Sequence, residues 1–480
     1  MRHICLVIVR ILFFSCIIGN ALMAQTTIPA INSYSVESNK NIDLKFPSNI
    51  SLEDKIYTIS TIWSEIKYNF VNIDHIKFDP DSLYKATIPL ITATKNDIAY
   101  YDVLRRFICS FGDGHTQLLN TSYSWNDYFD YIPCTIKEFK EEFYFTSIKK
   151  NAGIDSTLLG AKIIEIEGIP AIRYIEEVYF PYISASTLEH KFFQTTGKIG
   201  QGLEGTYFKG KARKRNGEVV SFSIQRNGET TRTENDEYWQ LKQPVKRRAI
   251  SLDWKNNIAI LKINSFNEKV IPAIDSLMNI VIDKAKGLII DLRNNGGGVT
   301  ETALDLQKYL TKGDYFLSFG SQTRINNGYG KSQGNYRKEF EEYYSGKTYT
   351  TYKPDTVYVE KSFKRIDCPV VVLISIFSFS ACEDFLVNNY ELPHRPLLIG
   401  EKTGGSTGAP LLLSNLPNET RARVCTLRIL FPYSMKQFVG MGISPDIEIK
   451  EAIEDYINGE DVVLNRALQT LTTNLLTVSD

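Results

Sequence analysis

Gly287-Leu288-Ile289-Ile290-Asp291-Leu292-Arg293-Asn294-Asn295-Gly296-Gly297-Gly298 runs an unalternating apolar segment straight into glycine. A short apolar run without polar alternation is the pattern of a strand buried on both faces, as in a parallel sheet. Glycine-rich backbone at a strand's carboxyl end exposes N–H groups and allows close approach of a ligand. Read by itself the segment is equally a flexible strand-to-helix turn, and nothing in it matches a phosphate-binding lysine motif. Its neighbours decide the fold. Residues 258–263 read as a strand, 270–286 as an amphipathic helix, 300–310 as another helix and 370–376 as another strand. This βαβα order predicts an α/β core with a largely parallel sheet.

The strand at 370–376 leads into Ser378-Phe379-Ser380-Ala381-Cys382-Glu383, and a helical run follows. Ser380 sits where that helix should begin, and Glu383 three residues on gives the capping-box spacing. Taken alone, Ser380 reads as a helix cap. A helix amino terminus also stabilises a developing oxyanion through its dipole and free N–H groups, so the position suits a nucleophilic hydroxyl as well. A serine nucleophile needs an adjacent base, most often histidine. After the leader the chain has only His75, His115, His190 and His394. His115 lies in the glycine-flanked loop Asp113-Gly114-His115-Thr116, and His394 reads as a loop residue between Pro393 and Arg395. Alone, His115 is an ordinary loop histidine.

Together these pieces resemble the carboxyl-terminal-processing (tail-specific) serine peptidases and their tricorn-protease relatives. Gly400-Glu401-Lys402-Thr403-Gly404-Gly405 and Gly442-Ile443-Ser444-Pro445-Asp446 add to the likeness, which covers about 51–449. The resemblance implies a ClpP/crotonase-like α/β catalytic core preceded by a helical module and a PDZ-like β-rich module. It implies Ser380 as nucleophile and the backbone N–H groups of Gly297 and Ala381 as oxyanion hole. One branch of the family takes its base from a lysine about 25 residues after the serine. Ser406 fills that slot here, with Lys402 close but offset. The tricorn-like branch takes a histidine from an upstream loop that Asp113-Gly114-His115-Thr116 matches, which implies His115 as the base. Two features depart from that branch. Gly114 replaces a serine, and Gln437-Phe438-Val439-Gly440-Met441 lacks the acid expected before the Gly-x-x-Pro-Asp turn. What orients His115 is left open.

Outward from the core, the reading divides the chain into 1–24 signal peptide, 25–49 tether, 50–127 helical module carrying the His loop, 128–234 PDZ-like module, 245–452 catalytic core and 453–480 helical tail. Apolar residues at 56, 59, 62, 63, 66 and 70 recur at helical steps, with Ser51 and Asp54 as a start signal, and 97–110 reads as a second helix. Gly160 to Pro170 alternates and ends in a glycine turn, resembling the core of the family's peptide-binding module. Residues 315–364 form an insertion rich in Tyr, Gly and Lys.

Arg2, His3 and Arg10, a short apolar run from Ile11 to Ile18, and small residues up to Ala24 predict an export signal cleaved before Gln25. The product is expected to be periplasmic or secreted, without lipidation at Cys16. Five scattered cysteines beyond the leader give neither a disulfide framework nor a CxxC pair. Lys+Arg and Asp+Glu both total 55, so net charge supplies no attraction to nucleic acid or an anionic membrane. The expected function is a serine endopeptidase acting on peptide or unfolded protein without metal or cofactor. A catalytically impaired peptide- or ligand-binding member and a hydrolase of non-peptide esters or amides are the alternatives. Because a free histidine titrates near ~6.5, the acid limb of activity is expected at roughly 6 to 7.5.

Overall fold

The computed structural model describes residues 48–119, 129–227, 236–243 and 247–477. The leader, its cleavage junction, Cys16 and the tether up to residue 47 lie outside them. The central sheet has six strands in the order Ile250–Lys255, Ile258–Ile263, Gly287–Asp291, Val370–Ile374, Leu397–Gly400, Ile447–Glu448. The first pair is antiparallel and every later pair parallel. The apolar run at 287–292 explains this sheet. Leu288, Ile290 and Leu292 pack into a cluster with helices Ile271–Lys284, Thr300–Leu310 and Ala381–Tyr390. Ile289 points the other way, against Val463, Ala467 and Leu471 of the terminal helix Val462–Thr477. Alternate side chains of one strand thus enter two cores, which is why the sequence shows no polar alternation.

A seven-stranded antiparallel sheet built from residues 134–240 forms the β-rich unit, closed by helix Leu188–Thr195 over a core that includes Phe143, Phe145 and Phe192. It meets the tail where Phe139 packs on Tyr456, ring centroids 5.2 Å apart. The tail is two helices, Ile453–Asn458 and Val462–Thr477, because Gly459 adopts a left-handed φ of 71° and ends the first.

The amino-terminal helices are Leu52–Asn69, Pro80–Thr92 and Asp97–Cys109. Ser51 caps the first, accepting the Asp54 N–H at 3.0 Å. The middle one escaped the sequence reading, since Pro89 sits inside it and its polar residues interrupt the apolar spacing. Ile59, Ile62 and Phe107 of these helices share one core with Ala422, Val424 and Cys425. The helical segment is therefore fused to a strand from the far end of the chain, a long-range pairing that local periodicity cannot reveal. The 315–364 insertion is joined in likewise: Gly320–Arg324 pairs with both Tyr349–Tyr352 and Leu427–Leu430. Cys109, Cys134, Cys368, Cys382 and Cys425 are free thiols, so packing rather than disulfides holds these units.

Candidate active site

Strand Val370–Ile374 ends in a turn that delivers Ser380 to the amino terminus of helix Ala381–Tyr390. Ser380 has φ 59° and ψ -129°, a backbone state that costs a non-glycine residue on the order of 1–3 kcal/mol. Bonds on both sides hold it there. Its N–H reaches Ser406 O at 3.2 Å and the Glu383 carboxylate at 3.2 Å, and its C=O accepts the Glu383 N–H at 2.6 Å. Glu383 thus reaches back as the capping-box spacing predicts, while the Ser380 hydroxyl faces His115.

Ser380 Oγ lies 3.1 Å from His115 Nε2, and His115 Nδ1 lies 2.9 Å from Ser406 Oγ. Three residues far apart in sequence form one line. If Nε2 is to accept the Ser380 proton, Nδ1 carries the ring hydrogen and donates it to Ser406. Ser406, fully buried, is thus the group that His115 Nδ1 faces, in the place where the sequence left the partner open. It is neutral, where a carboxylate would also stabilise the imidazolium.

The His115 loop is fixed by its own residues. Asp113, buried, accepts the His115 N–H at 2.9 Å and the Asn72 amide at 3.2 Å. Ser186 Oγ accepts the Gly114 N–H, and Arg423 donates to Gly114 O at 3.2 Å. Glycine at 114 leaves room for the Phe379 ring, which would have to shift for a Cβ that would stand 2.8 Å away. That ring stacks on His115 at 4.9 Å and 5°, and so packs the imidazole against the serine turn.

Glu383 supports the whole line. Its carboxylate takes the Thr403 hydroxyl at 2.5 Å and the N–H groups of Gly405 at 2.8 Å, Ser406 at 3.0 Å and Ser380 at 3.2 Å. One buried side chain therefore anchors the backbones of both serines. Burial pushes its carboxyl up to about 8, although each of the four donors pulls the other way.

The glycine loop closes the remaining side. A Cβ on Gly297, whose φ is 97°, would lie 2.7 Å from Ser380 Cβ and 2.7 Å from Phe379 O. Only glycine lets this loop touch the serine turn. The Gly297 N–H donates to Asn295 Oδ1 at 2.9 Å. The Ala381 N–H, first of the helix, makes no hydrogen bond among the described residues. Of the two donors read from the sequence, Ala381 stands open and Gly297 is shared with a side chain. Lys402 is not part of this geometry; it lines a surface cavity with Glu138, Glu401 and Lys450. Among the described residues no cluster of His, Cys, Asp or Glu could hold a metal ion. Ser406, Asn295 and the bracing role of Glu383 went unassigned in the sequence reading, and the one signal for Ser406 was its occupation of the lysine slot.

Burial, with Arg423 and His190 adding to it, pushes His115 down to about 3. An imidazole enclosed by Phe379 and the glycine loops resists protonation, which moves the expected acid limb below the roughly 6 to 7.5 of a free histidine. A depressed value keeps the imidazole neutral below the ordinary ~6.5, so with His115 as base kcat/KM should stay level from pH 7.5 to about 5. The sign for stability is opposite in use. Below ~6.5 the unfolded chain binds this proton and the folded chain does not, so His115 contributes a stability loss as pH falls toward about 3. A pH profile on a short ester, taken only where unfolding is excluded by circular dichroism, checks this; a limb centred at 6.5 to 7 would contradict it.

The geometry has relatives. The family model described as peptidase family S41 matches residues 257–449. A carboxy-terminal-processing protease of Bartonella bacilliformis is 22% identical over 229 residues, 46% of this chain and 46% of that protein. The match thus spans about half the length of that curated relative. Among solved structures, mature CPAF complexed with lactacystin has a TM-score of 0.66 at 13% identity, covering 89% of this chain and 99% of its own. Mature CPAF in a separate crystal structure has a TM-score of 0.61 at 13% identity, covering 86% and 99%. At these identities the structural likeness is one of fold.

Proposed function

From the premise that this chain belongs to peptidase family S41 through residues 257–449, we propose that it is a serine endopeptidase cutting exported peptides or unfolded proteins. Ser380 Oγ attacks the scissile carbonyl and His115 Nε2 takes its proton, later giving it to the leaving amine. The Ala381 N–H meets the developing oxyanion, and the Gly297 N–H joins it by exchanging Asn295 Oδ1 for the substrate oxygen. The observation that carries this reading is the unbroken line Ser380–His115–Ser406. The β-rich unit, read as PDZ-like, would hold an extended peptide, and the leader would deliver the protein outside the cytoplasm with Gln25 as its new amino terminus. Among the described residues no helix is long and apolar enough to cross a membrane.

Ser406→Ala isolates the orienting contact. It removes the Nδ1 partner and frees the ring to take the unproductive tautomer, so kcat should fall about 10- to 100-fold with KM little changed. The loss is smaller than for a triad carboxylate because a neutral hydroxyl gives the imidazolium less support. Steady-state kinetics on one substrate measure both constants, and an unchanged kcat would remove Ser406 from the mechanism.

The function itself is tested by incubating the mature protein with one polypeptide, folded and unfolded, and with a short ester. Internal cuts in the unfolded form, mapped by mass spectrometry, are the expected result. Ester turnover without peptide cleavage would instead favour a hydrolase of non-peptide esters. Retained peptide binding without turnover would favour an impaired member of the family.

A further inference from the structure

The small sheet beside the site has an open edge. Its order is Gln117–Leu118, Ala422–Cys425, Pro410–Leu413, antiparallel throughout. Its outer strands both leave the catalytic line: Gln117–Leu118 follows His115, and Pro410–Leu413 follows Ser406 through Thr407-Gly408-Ala409. The hydrogen-bond phase of Pro410–Leu413 is fixed from two sides. Ala409 C=O accepts the Thr426 N–H at 3.2 Å, and across the middle strand the Leu119 N–H donates to Arg421 C=O at 2.8 Å. Antiparallel ladders alternate, so the main-chain groups of Leu411 and Leu413 face Ala422–Cys425. The N–H and C=O of Leu412 and the C=O of Pro410 then face away from the sheet. Among the described residues no strand pairs with that side. The side chains there are apolar and open, Leu411 39% and Leu412 54% exposed.

Folded proteins usually cover or blunt such an edge. Pro410 removes one donor but leaves the Leu412 pair intact. We infer that the free edge of Pro410–Leu413 is a docking strand for the extended substrate peptide. The peptide adds to the sheet through the N–H and C=O of Leu412 and lays apolar side chains over Leu411 and Leu412. The occupant is argued from continuity, since the segment that orients His115 through Ser406 runs unbroken into this edge. From Ser406 to Leu412 the chain spans at most about 20 Å at ~3.3 Å per residue, so the contact calls for a substrate reaching up to about six residues from the scissile bond. Apolar, carbonyl-rich groups select an unfolded, uncharged stretch of polypeptide. This inference rests on the peptidase reading.

Leu412→Pro deletes the outward N–H without touching a ladder bond. Binding is measured by fluorescence anisotropy in the Ser380→Ala background, using a labelled twelve-residue apolar peptide and a four-residue one. The twelve-residue peptide should bind about five- to tenfold more weakly to the Leu412→Pro protein, the loss of one hydrogen bond, while the short one binds unchanged. With Ser380 intact, Leu412→Pro should react with a fluorophosphonate at the unsubstituted rate, which shows the site still folded. If that rate falls, Leu412→Glu, which keeps the N–H, replaces it and should weaken the apolar twelve-residue peptide alone. Equal affinity for the long peptide, or equal losses for both lengths, overturns the docking strand and leaves the peptidase reading standing. A dimer in sedimentation that Leu412→Pro dissociates would assign the edge to a second copy of this chain and overturn it too. If the unsubstituted chain neither cleaves nor binds either peptide, the peptidase reading fails and the docking strand with it.

Discussion

Ser380→Ala should lower kcat by about 10⁴ to 10⁶ and leave the melting temperature within a few degrees of the parent, since the hydroxyl caps no backbone N–H and only one hydrogen bond of about 1 kcal/mol is at stake. The hydroxyl's contact is with His115 Nε2 at 3.1 Å, so its removal takes away the attacking atom and little packing. Ser378 is the control, two residues earlier in the same turn. It is fully buried, donates to Leu292 O at 2.9 Å and accepts the Ser375 N–H at 3.0 Å, tying the ends of two core strands together. Ser378→Ala should therefore cost about 1–3 kcal/mol of stability and keep most turnover. Ester kinetics beside thermal melts separate the two effects. An active Ser380→Ala protein with an inactive, folded Ser378→Ala protein would place the nucleophile at the wrong serine.

His115→Ala should lose nearly as much, and the double variant with Ser380→Ala no more than either alone, because nucleophile and base act as a unit. Lys402→Ala should stay within about threefold of the parent, as a surface substitution outside the site does little. The contrast is built into the chain. Ser406 stands where a lysine base would, and it faces His115 Nδ1, while the Lys402 stem runs beside Gly442 toward a surface cavity. Removal of His115 also leaves a cavity next to Phe379, so the melting temperature should fall somewhat even as the fold persists. Near-normal turnover in His115→Ala beside an inactive Lys402→Ala protein would replace this base by a lysine.

The apolar run at 287–292 made the parallel core legible, because its lack of alternation reflects burial on two faces. Ser51, the spacing of Glu383 from Ser380 and the glycine breaks were legible for a different reason: cap and turn chemistry is local. Helix Pro80–Thr92 was hidden by Pro89 and its polar residues, and the fusion of the first helices to Ala422–Cys425 depends on a pairing across most of the chain. At the site, Ser380 and His115 read alone as a cap and a loop histidine, and the resemblance to the peptidases is what singled them out. Ser406 was given no role there; a serine among glycines looks like loop, and only its distance to His115 gives it one. The same holds for Glu383, whose spacing from Ser380 signals a cap while its carboxylate also braces Gly405 and Ser406. Burial of His115 was likewise invisible, and with it the downward pull on its titration.

Reaction of the mature, folded protein with a fluorophosphonate, followed by mass mapping of the adduct, tests the central claim most directly. The account predicts a single adduct on Ser380, lost in His115→Ala and retained in Lys402→Ala. An adduct on another serine, or none on protein shown to be folded, would contradict it.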